Sequence, residues 1–220
     1  MSEHRFTTTR SARYFTLGEA GPEVRDLWIA CHGYGQLAAD FLLGFTRISA
    51  PDRLVVAPEG LSRFYIGEPG RRHGKDTPIG ASWMTRADRL AEIEDNVAYL
   101  EGLTVDLERR VAPDARLRVL GFSQGVSTAC RWIARSGRTP AQLILWAGEM
   151  AFDLADGTRR PPAGVPVHLV GGTRDQLIPL ALMQRQRDRL AHDGVDATLH
   201  QFDGGHRLDR DLLGALAASP

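Results

Sequence analysis

Residues 116 to 126 read Arg-Leu-Arg-Val-Leu-Gly-Phe-Ser-Gln-Gly-Val, a short strand-like run that passes through Gly121-Phe122-Ser123-Gln124-Gly125 into a second apolar stretch. The five central residues fit G-x-S-x-G, in which a serine occupies a sharp strand-to-helix turn and glycines remove the side chains that would clash in the bend. Arg116 to Leu120 supplies the strand, and Val126 to Ile133 carries apolar residues at helical spacing. The plain alternative is an ordinary strand-to-helix loop whose serine caps the helix.

Working outward, strands are expected at Arg13–Leu17, Leu27–Cys31, Leu54–Ala57, Leu143–Trp146, Pro166–Val170 and Ala197–Phe202. Between them, helices are expected over Ala38–Ser49, Arg86–Arg110, 124–135, Pro179–Ala191 and after His206. Leu143-Ile144-Leu145-Trp146 has no polar alternation, which suits a strand covered on both faces. Alternating strands and helices predict an α/β fold with a mostly parallel sheet, helices on both faces, and function at the strand C-terminal ends. Pro58 to Ser82, rich in glycine and proline, reads as a long irregular loop of the kind that carries binding functions.

The chain has 220 residues, 43% of them hydrophobic, which suits a single domain over 1–220. Its 27 basic and 27 acidic side chains cancel, so no global charge favours nucleic acid or an anionic membrane. Met1 to Arg10 lacks the apolar centre of a secretory signal, and no run is long enough to span a bilayer. Cys31 and Cys130 read as buried free thiols, and a cytoplasmic location is expected.

A serine hydroxyl needs a base to accept its proton and a carboxylate to orient that base, here in the chain order serine, acid, histidine. Asp175 follows the strand at 166–170 and His206 follows the last strand, so both arrive at the edge where Ser123 lies. Alone, Asp175 reads as a turn or cap residue and His206 as a surface histidine; the coincidence of all three positions carries the assignment. Among competitors, Asp203 lies after the last strand, His168 reads as core, His200 as a solvent-facing or locally packed strand residue, and His192 as a helix end. Oxyanion donors are expected from the backbone N–H of Gln124 and from that of Tyr34 in His32-Gly33-Tyr34-Gly35.

Together, His32-Gly33-Tyr34-Gly35, Gly121-Phe122-Ser123-Gln124-Gly125, the Asp175 loop, Gly204-Gly205-His206 and Ser82-Trp83 resemble the phospholipase/carboxylesterase family of α/β-hydrolases, which includes acyl-protein thioesterases. The resemblance spans roughly residues 27 to 210. It implies a compact serine esterase with the α/β-hydrolase fold, no large cap domain and no cofactor or metal. Gln36 stands where the family has an acidic residue, and Met84-Thr85 stands in place of an aromatic-acid pair after Trp83. The expected substrate is a small-molecule carboxylic ester, with lysophospholipid and thioester left open. Phe64, Tyr65, Ile66, Trp83 and Met84 are candidate acyl contacts, and Gly148-Glu149-Met150-Ala151-Phe152 is a candidate lining of the opposite side. Neither nucleic acid nor stable membrane insertion is expected, and a homodimer is compatible with the sequence.

Three other readings compete. Gly33-Tyr34-Gly35-Gln36-Leu37-Ala38 matches a relaxed dinucleotide fingerprint with Glu59 as a ribose ligand, but leaves Ser123, Asp175 and His206 unexplained. A noncatalytic binding protein on the same scaffold would have no need of the complete triad. A metallohydrolase lacks H-E-x-x-H or any close carboxylate-histidine cluster.

Overall fold

The computed structural model describes residues 1–67, 70, 72–151, 161 and 164–219. Phe152 lies outside them. Nine strands are described: β1 Tyr14–Leu17, β2 Asp26–Cys31, β3 Arg53–Pro58, β4 Ser62–Tyr65, β5 Ile79–Ser82, β6 Arg116–Phe122, β7 Gln142–Trp146, β8 Val167–Gly172 and β9 Ala197–Phe202. Seven of them form a sheet in the order β1-β3-β2-β6-β7-β8-β9, parallel except for β1, which pairs antiparallel with β3.

Every residue of β2 and β7 is buried, as expected for central strands covered on both sides. One face packs against α2 (Arg89–Glu108), α3 (Gln124–Ser136) and α4 (Leu180–His192), through Leu100, Leu107, Trp132, Met183 and Leu190. The other meets α1 (Ala38–Leu42), a 3-10 helix at Leu43–Ile48 and α5 (Arg210–Ala218), through Phe41, Phe45, Leu213 and Leu216. Helix α3 stops at Gly137, whose φ of 67° is the left-handed conformation that favours glycine after a helix. At α5, the Asp209 side chain accepts from the Leu212 N–H and caps the first turn.

Two expectations change. The helix expected over 38–49 is one short α-helical turn followed by the 3-10 segment. The stretch from 58 to 82 is not wholly irregular, because β4 and β5 pair antiparallel from Ser62↔Ser82 to Tyr65↔Ile79. This ribbon is tied to the loop after β2: the Gly35 N–H donates to the Ala81 carbonyl, and the Ala81 N–H donates to that of Gln36. A Cβ on Gly80 would meet the Gly35 carbonyl oxygen at 2.5 Å, so only glycine admits that approach. Among the described residues, no helix is long and apolar enough to cross a membrane.

Candidate active site

Central strand β6 runs straight into Ser123, which adopts φ 54° and ψ −118°. A non-glycine residue so placed costs about 1–3 kcal/mol and persists only where its surroundings over-determine it. Here the Ser123 N–H donates to the Trp146 carbonyl at 2.9 Å, and the Ser123 carbonyl accepts from the Val126 N–H at 3.0 Å. The flanking glycines are a packing requirement. A Cβ on Gly121 would meet the Gly125 carbonyl oxygen at 2.5 Å, and one on Gly125 would run into the carbonyls of Cys31 and His32. The elbow and the loop after β2 therefore touch backbone to backbone.

The structure brings Ser123, Asp175 and His206 together. His206 Nε2 lies 2.9 Å from Ser123 Oγ, and His206 Nδ1 lies 2.8 Å from Asp175 Oδ2. An ionised carboxylate only accepts, so Nδ1 carries the proton and Nε2 is left free to accept from the hydroxyl. Asp175 is buried, and its Oδ1 accepts from the N–H groups of Leu177 and Ile178, both at 2.9 Å. These bonds hold the carboxylate to its own loop while the other oxygen faces the imidazole. The His206 ring tilts over Phe122, centroids 5.0 Å apart, which further restricts its orientation.

Beside the serine lies His32-Gly33-Tyr34-Gly35. A Cβ on Gly33 would sit 3.1 Å from the Ser123 Cβ. The Gln36 side chain holds this loop, its Oε1 accepting from the Gly33 N–H at 2.8 Å. The Gln124 side chain clamps the segment after β5: its Oε1 accepts from the Trp83 N–H at 3.1 Å, and its Nε2 donates to the Met84 carbonyl at 2.8 Å. The side-chain roles of Gln36 and Gln124 add to the backbone donors expected at Gln124 and Tyr34. The extra signal was available in the amide at position 36, which can accept from a backbone N–H as a carboxylate does.

The candidate acyl contacts divide. Phe64 stacks on Tyr34 with centroids 5.2 Å apart, and Tyr65, half exposed, stacks on His73 at 4.4 Å. Trp83 and Met150 are both buried in the α2–α3–α4 side of the core. Trp83 donates its indole N–H to the His32 carbonyl at 2.8 Å, and the Met150 N–H donates to Gln186 Oε1 at 2.6 Å. The Met84 sulfur accepts from Arg131 Nη1 at 3.0 Å, and its side chain lines a cavity of about 10 Å³ with Ile93, Val97 and Thr128 between α2 and α3. A polar loop rich in aromatics does not reveal in sequence which rings turn inward.

The competitors are accounted for by their surroundings. Asp203 is exposed and pairs with Arg174 at 3.2 Å. His168 and His200 join each other, Nδ1 to Nε2 at 3.0 Å, on adjacent strands. Glu59 is not free for a ribose: its buried carboxylate accepts from Arg13, Arg63 and the Ala38 N–H. Burial opposes its ionisation, yet those donors hold its pKa below the ordinary carboxylate range. Cys31 and Cys130 are free thiols, and burial raises both pKa values, that of Cys130 to about 12. Among the described residues, no three His, Cys, Asp or Glu side chains are grouped to hold a metal ion.

No protein-family model matches the chain, and no curated protein matches it. Solved structures do. Esterase PE8 is 25% identical with a TM-score of 0.71, covering 95% of this chain and 97% of its own. The carboxylesterase from Mesorhizobium loti is 20% identical with a TM-score of 0.70, covering 95% of each chain. Acyl-protein thioesterase 2 from Zea mays is 16% identical with a TM-score of 0.70, covering 94% of this chain and 96% of its own. The order and direction of the strands, the helices on both faces and these neighbours agree: the chain has an α/β-hydrolase fold, similar throughout its length to carboxylesterases and acyl-protein thioesterases.

Proposed function

We propose that the protein is a serine hydrolase that cleaves carboxylic esters through an acyl-enzyme. The observation that carries this reading is the continuous relay from Ser123 Oγ through His206 to Asp175, at 2.9 and 2.8 Å, with the serine held at a positive φ. His206 Nε2 takes the hydroxyl proton as Ser123 Oγ attacks the acyl carbonyl, and Asp175 stabilises the imidazolium that forms. The backbone N–H groups of Tyr34 and Gln124 receive the developing oxyanion; neither has a protein acceptor among the described residues. His206 then returns its proton to the leaving alkoxide. In the second half, water attacks the acyl-enzyme with His206 again as base, and Ser123 is released.

The rim supports a small acyl ester as substrate. Tyr34, Tyr65, Ile66 and Ile79 are exposed on and around the β4–β5 ribbon, and Ile66 lies over Gly35, next to the proposed oxyanion loop. This apolar edge suits an acyl group, and Phe64 and Tyr65 remain the aromatic contacts from the sequence reading. A reducing cytoplasm suits a chain with two free thiols.

The test is hydrolysis of p-nitrophenyl esters of increasing acyl length, with an acyl thioester beside them, by the parent protein and by Ser123→Ala. Loss of the nucleophile is expected to lower kcat by roughly 10⁴–10⁶-fold while the variant stays folded. Turnover surviving at the parent rate would rule out Ser123 as the nucleophile.

A further inference from the structure

Two consecutive peptide groups lie against Ser123, and three of their four polar atoms are tied down. The His32 carbonyl accepts from the Trp83 indole at 2.8 Å, the Gly33 N–H donates to Gln36 Oε1 at 2.8 Å, and the Gly33 carbonyl faces His32 Nδ1 at 2.7 Å, with the Gln36 N–H as a longer second donor at 3.3 Å. The fourth is the Tyr34 N–H, which has no protein acceptor among the described residues.

We propose that the His32 side chain is a positioning residue for this donor, acting through the plane of the Gly33–Tyr34 peptide. The inference rests on the esterase reading above. A trans peptide is rigid and planar, and its C=O and N–H point in opposite directions. Fixing the Gly33 carbonyl therefore also fixes the direction of the Tyr34 N–H. The unbranched backbone at Gly33 lets that peptide lie beside the serine, where a Cβ would stand 3.1 Å from both the Ser123 Cβ and the Phe122 ring.

For the lever to work, His32 must carry its proton on Nδ1. Gly60 enforces that tautomer: its N–H donates to His32 Nε2 at 3.0 Å, so Nε2 must be the unprotonated acceptor and Nδ1 the donor. Gly60 is itself pinned, since a Cβ there would meet the Ser82 carbonyl oxygen at 2.6 Å. The imidazole is fully buried, with its centroid 5.0 Å from the Trp83 ring and 6.5 Å from the edge-on Phe41 ring. Burial outweighs the Gly33 hydrogen bond and the Glu59 charge, and keeps the ring neutral by lowering its pKa. His32 touches no reacting atom; it orients the peptide that does.

The test separates the two nitrogens of His32. An asparagine can place an N–H near the Nδ1 position without reaching Gly60, whereas a glutamine can place an acceptor near Nε2 without a donor to Gly33. His32→Gln is expected to lower kcat by about 10- to 1,000-fold, up to the value of one oxyanion donor. KM should change little, and affinity for a trifluoromethyl ketone analogue of the tetrahedral adduct should fall in step with kcat/KM. His32→Asn should recover most of the loss, with rates counted per folded molecule. Equal losses in the two variants, or a loss confined to KM with analogue affinity unchanged, would overturn the proposal. The parent protein gives an independent readout: ¹⁵N resonances of histidine should show neutral His32 protonated at Nδ1, and an Nε2–H tautomer would overturn the proposal whether or not the variants fold. A parent protein that forms no covalent adduct with a serine probe would instead refute the esterase reading, before any His32 variant is made.

Discussion

Two buried aspartates stand at opposite ends of the sheet, and their partners differ in kind. Asp26, at the start of β2, is bound by Arg53 at 3.1 Å, Arg116 at 3.1 Å and Arg118 at 3.2 Å. Asp175, beyond the end of β8, is bound by two backbone N–H groups and one imidazole. At the first end every partner is permanently charged, and the arginines go on to staple the last helix. Arg53 donates to the Ala217 carbonyl, Arg118 to that of Ser219, and Gln142, bonded to Arg118, to that of Leu216. At the second end the carboxylate faces dipoles and a ring that is able to gain a charge. An imidazolium formed at His206 meets a fixed negative partner that, among the described residues, no other cation contacts directly. The same residue type thus closes the fold at one end and leaves electrostatic work available for the proposed reaction at the other.

Substitution at the two aspartates should break this comparison cleanly. Asp175→Asn keeps an oxygen for the Leu177 and Ile178 N–H groups but can offer an N–H to His206, favouring the wrong tautomer. A fall in kcat of about 10⁴-fold with near-parental stability is expected, read by ester kinetics and thermal melting. Asp26→Asn should do the reverse. Leaving three guanidinium groups short of their shared anion is expected to cost about 3–5 kcal/mol in urea denaturation, with the rate per folded molecule retained. Comparable activity loss per folded molecule in both variants would erase the distinction drawn between the two ends.

A smaller effect should appear in acid. Burial lowers the pKa values of His32, His168 and His200 below the ordinary imidazole range. Between that range and the lower folded values, the unfolded chain binds more protons than the folded one, so stability is lost as pH falls. The His168–His200 pair sharpens this, because protonating both rings would set two donors face to face across 3.0 Å. The urea midpoint should therefore decline from about pH 7 to about pH 5. Removing the pair with His168→Leu and His200→Leu together should flatten that decline, and an unchanged slope would assign the acid sensitivity to other groups.

What could be read in the sequence follows from how local each signal is. The buried strands at 27–31 and 143–146 announced themselves by unbroken apolar character, and Gly121, Ser123 and Gly125 marked the turn because a tight backbone approach leaves a residue-type signature. Asp175 and His206 were legible because strand order places each loop at one sheet edge. The β4–β5 ribbon was not, because Ile79-Gly80-Ala81-Ser82 becomes a strand by pairing with Ser62–Tyr65 across a long intervening stretch and is then tied to the distant loop at 35–36. The same applies to Trp83, whose indole is drawn inward by the His32 carbonyl, and to His168 with His200, which meet only in the register of β8 against β9. The role of Asp26 was hidden for the same reason: its three arginines come from β3 and β6, and the carbonyls they hold come from the end of the chain.

The most direct measurement is intact-mass analysis after exposure to a fluorophosphonate, followed by peptide mapping of the adduct. A single adduct on Ser123, absent from Ser123→Ala and formed far more slowly in Asp175→Asn, is the predicted result. A folded parent protein that stays unmodified, or one modified at a residue other than Ser123, would contradict the assignment of Ser123 as the nucleophile.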